Sequence, residues 1–128
     1  MGFVQALMTM EYQPLPLAGS GNPEEKVVDI GIQRTLEALA SRVESGQGAH
    51  ILLGSHDGDY IPQVERLLDA GAYVGVLCFH EFLNAQLAAL ESKGLTIYDL
   101  ETKVHAFTIP LPRVRIIPLE EYDPLAFI

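Results

Sequence analysis

Two aspartates flank a single glycine in the stretch Gly54-Ser-His-Asp-Gly-Asp-Tyr60. Carboxylates held this close repel each other. A divalent cation removes that conflict, and the hard ions Mg²⁺ and Mn²⁺ prefer oxygen ligands. Gly58 permits the tight backbone that aims both side chains the same way. The plainer reading stands beside this one: one aspartate caps a following helix and the other is solvated. A phosphate-cradling loop fits less well. Gly54-x-x-x-Gly58 lacks the lysine of a P-loop, and two acids repel a bare phosphate.

Asp29 is a third candidate ligand. It falls in the first turns of a helical pattern, one position off the apolar stripe; alone it is an acid placed favourably near a helix N-terminus. Lys26, three residues earlier, is its natural ion-pair partner. Ser55 has no base at a fixed spacing, so a hydrolase triad is unsupported, and its hydroxyl suits support of the loop or of a metal's waters. His56, inside the acidic turn, is a candidate substrate contact. His50, His56, His80 and His105 show no metal-ligand spacing. His80-Glu81 begins like a zincin motif, but Asn84 stands where the second histidine belongs.

Elements must bring these residues together. Val28, Ile32, Leu36, Leu39 and Val43 recur at helical spacing and predict a helix over 24–44. Asn22, Pro23 and Glu25 read as its cap, first residue and capping-box partner. His50–Gly54 reads as a strand buried on both faces. Ile61–Ala70 reads as a helix ended by Gly71, Tyr73–Phe79 as a second buried strand, Glu81–Ser92 as a helix and Leu95–Leu100 as a strand. Phe3–Met10 reads as a strand, ahead of a loop rich in Pro and Gly. Val104–Ile109 and Arg113–Pro118 read as strands broken by Pro110, Pro112 and Pro118, an edge hairpin or arm. The alternation predicts a single α/β domain over 1–128: a mostly parallel sheet with helices on both faces (core 3–101) and a C-terminal Pro-rich arm (102–128).

Composition narrows the partners. The chain has 128 residues, 48% hydrophobic and 20% charged, an ordinary globular balance. Eight Lys+Arg against seventeen Asp+Glu gives 8 − 17 = −9, which excludes a basic DNA-binding module. Cys78 is the single cysteine, so neither a disulfide framework nor a cysteine zinc site is available. It sits in an apolar run, where a buried, inert thiol is expected. No apolar stretch reaches the roughly 18 residues a membrane span needs. The first ten residues lack the basic start of a secretory signal, and Ala6 stands where a myristoylation signal wants Ser or Thr. A cytoplasmic protein with no membrane partner is expected.

Read in order, Glu25-Lys-Val-Val-Asp-Ile-Gly-Ile and His50-Ile-Leu-Leu-Gly-Ser-His-Asp-Gly-Asp-Tyr-Ile-Pro-Gln-Val resemble the NYN domain, a PIN-like family whose implied activity is that of a metal-dependent ribonuclease. That family opens a helix with Lys-x-x-Asp and ends an apolar strand in Ser-Gly-Asp-x-Asp-Phe. Segments 62–70, 71–79 and 82–100 correspond to its following helix, its Gly-x-x-Val strand and its last helix and strand. The resemblance spans roughly residues 10–101. It implies a PIN-like, Rossmann-like fold, with Asp29, Asp57 and Asp59 as metal-site acids holding Mg²⁺ or Mn²⁺, and Lys26 and Ser55 as the family's lysine and serine. Two features depart. His56 stands where the family has Gly or Asn. The family's opening strand, which ends in an Asp, and its helix have no counterpart ahead of Phe3–Met10; Glu11 is the only acid near that position. A gap at the sheet edge predicts a homo-oligomer or a partner chain that completes the sheet.

The activity implied is metal-dependent hydrolysis of RNA, with the metal activating and orienting a water in line with the phosphodiester. Arg113, Arg115, Lys103 and His105 carry the densest positive charge, as backbone contacts or as a solvated edge. The rival reading is a non-catalytic PIN-like module that binds protein or RNA. A third, a small nucleotide- or phosphate-binding domain, is disfavoured by the acidic turn.

Overall fold

The computed structural model describes residues 2–22, 26–109, 111 and 117–128. Pro23 and Glu25, Pro110 and Pro112, and Arg113 and Arg115 lie outside them, so the expected capping box, the strand at Arg113–Pro118 and the two arginines are not part of the described structure.

The first element departs from expectation. Phe3–Thr9 is a helix, α1, not a strand. Gln5, Ala6, Leu7 and Met8 are good helix formers, and without period-two alternation Val4 and Thr9 do not impose extended backbone. It has no buried residue. Helix α2 spans Val27–Glu44 and buries Leu36 and Ala40. Ile32, Leu39 and Val43 pack partly against the same core, whereas Val28, expected to face inward, is exposed. Gly46, at φ +102°, lets the chain turn back, with Gln47 N–H donating to Arg42 O at 3.1 Å and Gly46 N–H to Val43 O at 3.0 Å.

Three parallel strands follow: β1 His50–Gly54, β2 Tyr73–Cys78 and β3 Thr96–Asp99, in the order β1-β2-β3. His50 pairs with Tyr73, Leu53 with Val76, and Val76 with Ile97. Helix α3, Ile61–Asp69, links β1 to β2 and carries Pro62 in its first turn. The helix expected over Glu81–Ser92 is broken into three pieces. His80–Phe82 is a 3₁₀ turn, α4 covers only Ala85–Ala88, and Ala89–Lys93 continues as 3₁₀. Asn84 is the cause. Its Oδ1 accepts the N–H groups of Gln86 and Leu87 at 2.9 and 3.1 Å, which restarts the helix there.

Right-handed crossovers between strands in simple 1-2-3 order fall on one face. Helices α2, α3 and α4 accordingly pack on the side of Leu53, Val74, Val76, Cys78 and Ile97, where Val64, Leu67 and Leu87 are fully buried. The other face is not covered as expected: Leu52 is 61% exposed and Tyr73 44%. On that face the Tyr73 and Tyr98 hydroxyls are hydrogen-bonded and Lys103 Nζ lies 5.0 Å from the Tyr98 ring centre. The expected strand at Val104–Ile109 is absent. Lys103 and Val104 N–H bond back to Asp99 O at 3.1 and 2.9 Å, so the chain turns instead of extending. Leu119–Glu121 and Pro124–Phe127 are exposed 3₁₀ turns. Among the described residues no helix is long and apolar enough to cross a membrane.

Candidate functional site

In open parallel sheets, ligand sites form beyond the carboxyl ends of the strands. The acidic turn lies there, between the end of β1 at Gly54 and the 3₁₀ turn Gly58–Tyr60 that leads into α3. Asp29 reaches the same place from the first turn of α2. One carboxylate oxygen from each of Asp29, Asp57 and Asp59 lies within 4.8 Å of the others. Asp57 is exposed, and Asp29 and Asp59 are half-buried.

Local bonds fix each acid. Ser55 Oγ accepts Asp57 N–H at 3.0 Å, and Asp57 Oδ1 accepts Asp59 N–H at 3.0 Å. Asp57 therefore caps the 3₁₀ turn and also turns an oxygen toward the cluster. Lys26 Nζ lies 3.5 Å from Asp59 Oδ2 and 3.9 Å from Asp29 Oδ2. One ammonium thus bridges two acids from two elements. It remains well exposed, so the pairs are screened and each adds little to stability.

Two further residues shape the site without any spacing signal in the sequence. Tyr60 is 3% exposed, and its O–H donates to Asp29 Oδ1 at 2.9 Å. Its burial, then the hydrogen bond to Asp29 and the charges of Asp29, Asp57 and Asp59, push the phenol up to about 12. Gln33 Nε2 donates to Asp59 O at 3.0 Å and ties α2 to the turn. Only the fold could reveal them, because Tyr60 points back from the turn to α2.

His56, the candidate substrate contact, is tied to the neighbouring strand end. Its Nε2 accepts Phe79 N–H at 2.8 Å, and its carbonyl accepts Asn84 N–H at 3.1 Å. The imidazole is thereby committed to the end of β2. Gly58 supports this junction, because a Cβ there would meet the Asn84 amide nitrogen at 2.8 Å. Cys78 is buried as expected, and burial, with the nearby Asp99 charge, pushes its thiol up. His50 pairs with the Tyr73 ring, and the His80 N–H donates to Asp99 Oδ1 at 2.9 Å.

No protein-family model, curated protein or solved structure matches the chain.

Proposed function

We propose that the Asp29–Asp57–Asp59 cluster is a divalent-cation site and that the protein is a PIN-like, metal-dependent ribonuclease. The observation that carries the reading is the convergence of three carboxylate oxygens, from two separate elements, beyond the carboxyl end of a parallel strand. The donors fit the ion. All are hard oxygens, their mutual repulsion calls for positive charge, and Lys26 already lies among them. The resemblance to the NYN domain supplies Mg²⁺ or Mn²⁺ as the cofactor and RNA as the substrate.

A bound divalent ion supplies charge neutralisation and Lewis acidity for phosphodiester hydrolysis. The chain's residues supply the rest. Tyr60 holds Asp29 by its hydroxyl, and Ser55 and the Asp59 N–H hold Asp57. Lys26, freed from Asp59, offers its ammonium to a phosphate oxygen as a mobile point charge. A chain of net charge −9 gains little from long-range attraction to RNA, so recognition must be local to this site. The outer edge of β1 and the exposed Leu52 beside it suit completion of the sheet by a second copy or a partner chain. A cytoplasmic location accords with the single, buried cysteine.

One observation favours the rival, a non-catalytic interaction module: Lys26 by itself neutralises part of the acidic charge. Cleavage of end-labelled single-stranded RNA separates the two. The nuclease reading requires products that depend on Mg²⁺ or Mn²⁺ and disappear in Asp57→Asn. No cleavage by the wild-type protein, or equal cleavage by the variant, refutes it.

A further inference from the structure

Beside the acidic turn, four rings meet at the carboxyl ends of β1 and β2. The Phe79 ring stacks on the His56 imidazole, with centres 6.1 Å apart and planes 14° apart, and on Phe107 at 5.9 Å and 24°. Phe82 stands edge-on to His56 at 6.0 Å and to Phe79 at 6.3 Å. Phe82 is 67% exposed and Phe107 41%. A single exposed phenylalanine needs no explanation. Rings gathered and ordered at the solvent boundary, where parallel sheets bind ligands, do need one.

The group is held by backbone bonds. His56 Nε2 accepts Phe79 N–H, and Phe82 N–H donates to Phe79 O at 3.0 Å. Asn84 fastens the segment to His56 O and packs against Gly58 of the acidic turn. His56 is also the residue before Asp57, so the rings and the acids are two sides of one loop.

The two sides ask for different chemistry. The acids, with a cation, suit a phosphate. The rings offer uncharged planar faces and edges. A ligand that joins a planar ring to a phosphate over a short distance is a nucleotide. We propose that Phe79, Phe82 and Phe107, braced by His56, form a stacking shelf for an unpaired nucleobase of a nucleic-acid strand whose phosphate lies at the Asp29–Asp57–Asp59 cluster. The proposal rests on the reading of that cluster as a phosphodiester site. It makes the protein selective for single strands, because bases within a duplex cannot present their faces to the shelf.

The chain contains no tryptophan, so Phe82→Trp introduces a unique fluorophore that retains a stacking face. Its emission is titrated with single-stranded oligonucleotides of RNA and of DNA, with the same lengths made abasic, and with duplexes, all in Mg²⁺. Quenching by intact single strands of either backbone, lost with abasic strands and duplexes, supports the shelf; the two backbones tell whether the 2′-hydroxyl contributes. Anisotropy of labelled single strands should show Phe82→Ala and Phe107→Ala each weakening binding by about five- to a hundredfold, with thermal melts by circular dichroism unchanged. Equal binding of intact and abasic strands, unchanged affinity in both alanine variants, or no binding by the wild-type protein overturns the proposal. Base-dependent binding without cleavage leaves the shelf standing and defeats the nuclease reading. Cleavage that is indifferent to base and to Phe82 does the reverse.

Discussion

Tyr60→Phe removes one hydroxyl and leaves the buried ring in place. The lost bond is a donor to a carboxylate, Tyr60 O–H to Asp29 Oδ1 at 2.9 Å, of a kind that contributes about 1.5–3 kcal/mol. The phenol's rise from 10.0 to about 12 gives an independent bound. The difference, 12 − 10 = 2, at about 1.36 kcal/mol each, is at most about 2.7 kcal/mol. The Asp29 side chain is 26% exposed, so water replaces part of the lost bond. We expect the variant to be less stable by roughly 1–2 kcal/mol at pH 7. The pH dependence has a definite sign. A raised phenol pKa contributes stability that is complete below pH 10 and is lost as pH rises toward about 12. The gap between wild type and variant should therefore be constant from pH 7 to 10, where Asp29 is a carboxylate and the phenol is protonated, and close above pH 10. Urea denaturation of both proteins across that range measures it, and the other tyrosines cancel in the difference. Equal stabilities at pH 7, or a gap that persists undiminished above pH 10, would refute the argument.

Gly75→Ala should destabilise by about 1–3 kcal/mol, because a Cβ there would meet the Tyr98 ring at 2.7 Å. Tyr98→Ala in the same chain should remove most of that added cost, as a double-mutant cycle in urea can show. Asp99 accepts bonds from the Thr102 hydroxyl, His80 N–H and Thr102 N–H, which hold its carboxyl at about 2. Its depressed pKa means that the stabilisation is present above pH 3.8 and fades as pH falls toward 2, so acid melts of Asp99→Asn should lack that loss. Leu67→Ala, at a fully buried site in α3, should cost about 2–5 kcal/mol by chemical denaturation. Light scattering over a dilution series should reveal a homo-oligomer, and a monomer at every concentration would remove the proposed sheet completion.

The acidic candidates could be read from the sequence because their signal is local. Asp57-Gly-Asp59 follows an apolar strand, and Asp29 sits at a fixed offset from a helical stripe. Tyr60 and Gln33 could not be read, since each acts across elements and a tyrosine or glutamine carries no spacing. The three strands were legible from apolar runs bounded by glycine and turn residues. Their environment was not. His50-Ile-Leu-Leu-Gly54 reads as buried on both faces, yet Leu52 lies on the open face of an edge strand. A short run has no period that distinguishes centre from edge. Phe3–Met10 reads as a strand on the β preference of Val4 and Thr9, but the segment has no clean alternation, and the four helix formers Gln5, Ala6, Leu7 and Met8 make Phe3–Thr9 a helix. Over Glu81–Ser92, Leu83, Leu87 and Leu90 recur at helical spacing and Leu87 and Leu90 are buried, but the Asn84 cap breaks the continuous helix that this spacing predicts.

The central claim is that Asp29, Asp57 and Asp59 together hold a divalent cation, and Mn²⁺ titration followed by electron paramagnetic resonance tests it without recourse to any substrate. The account predicts one bound ion in the wild-type protein and affinity lowered about tenfold or more in each of Asp29→Asn, Asp57→Asn and Asp59→Asn. It also predicts tighter binding in Lys26→Met, because the ammonium that competes for Asp59 and Asp29 is gone. Absence of binding at millimolar Mn²⁺, or binding that the three asparagine variants leave unchanged, would contradict it.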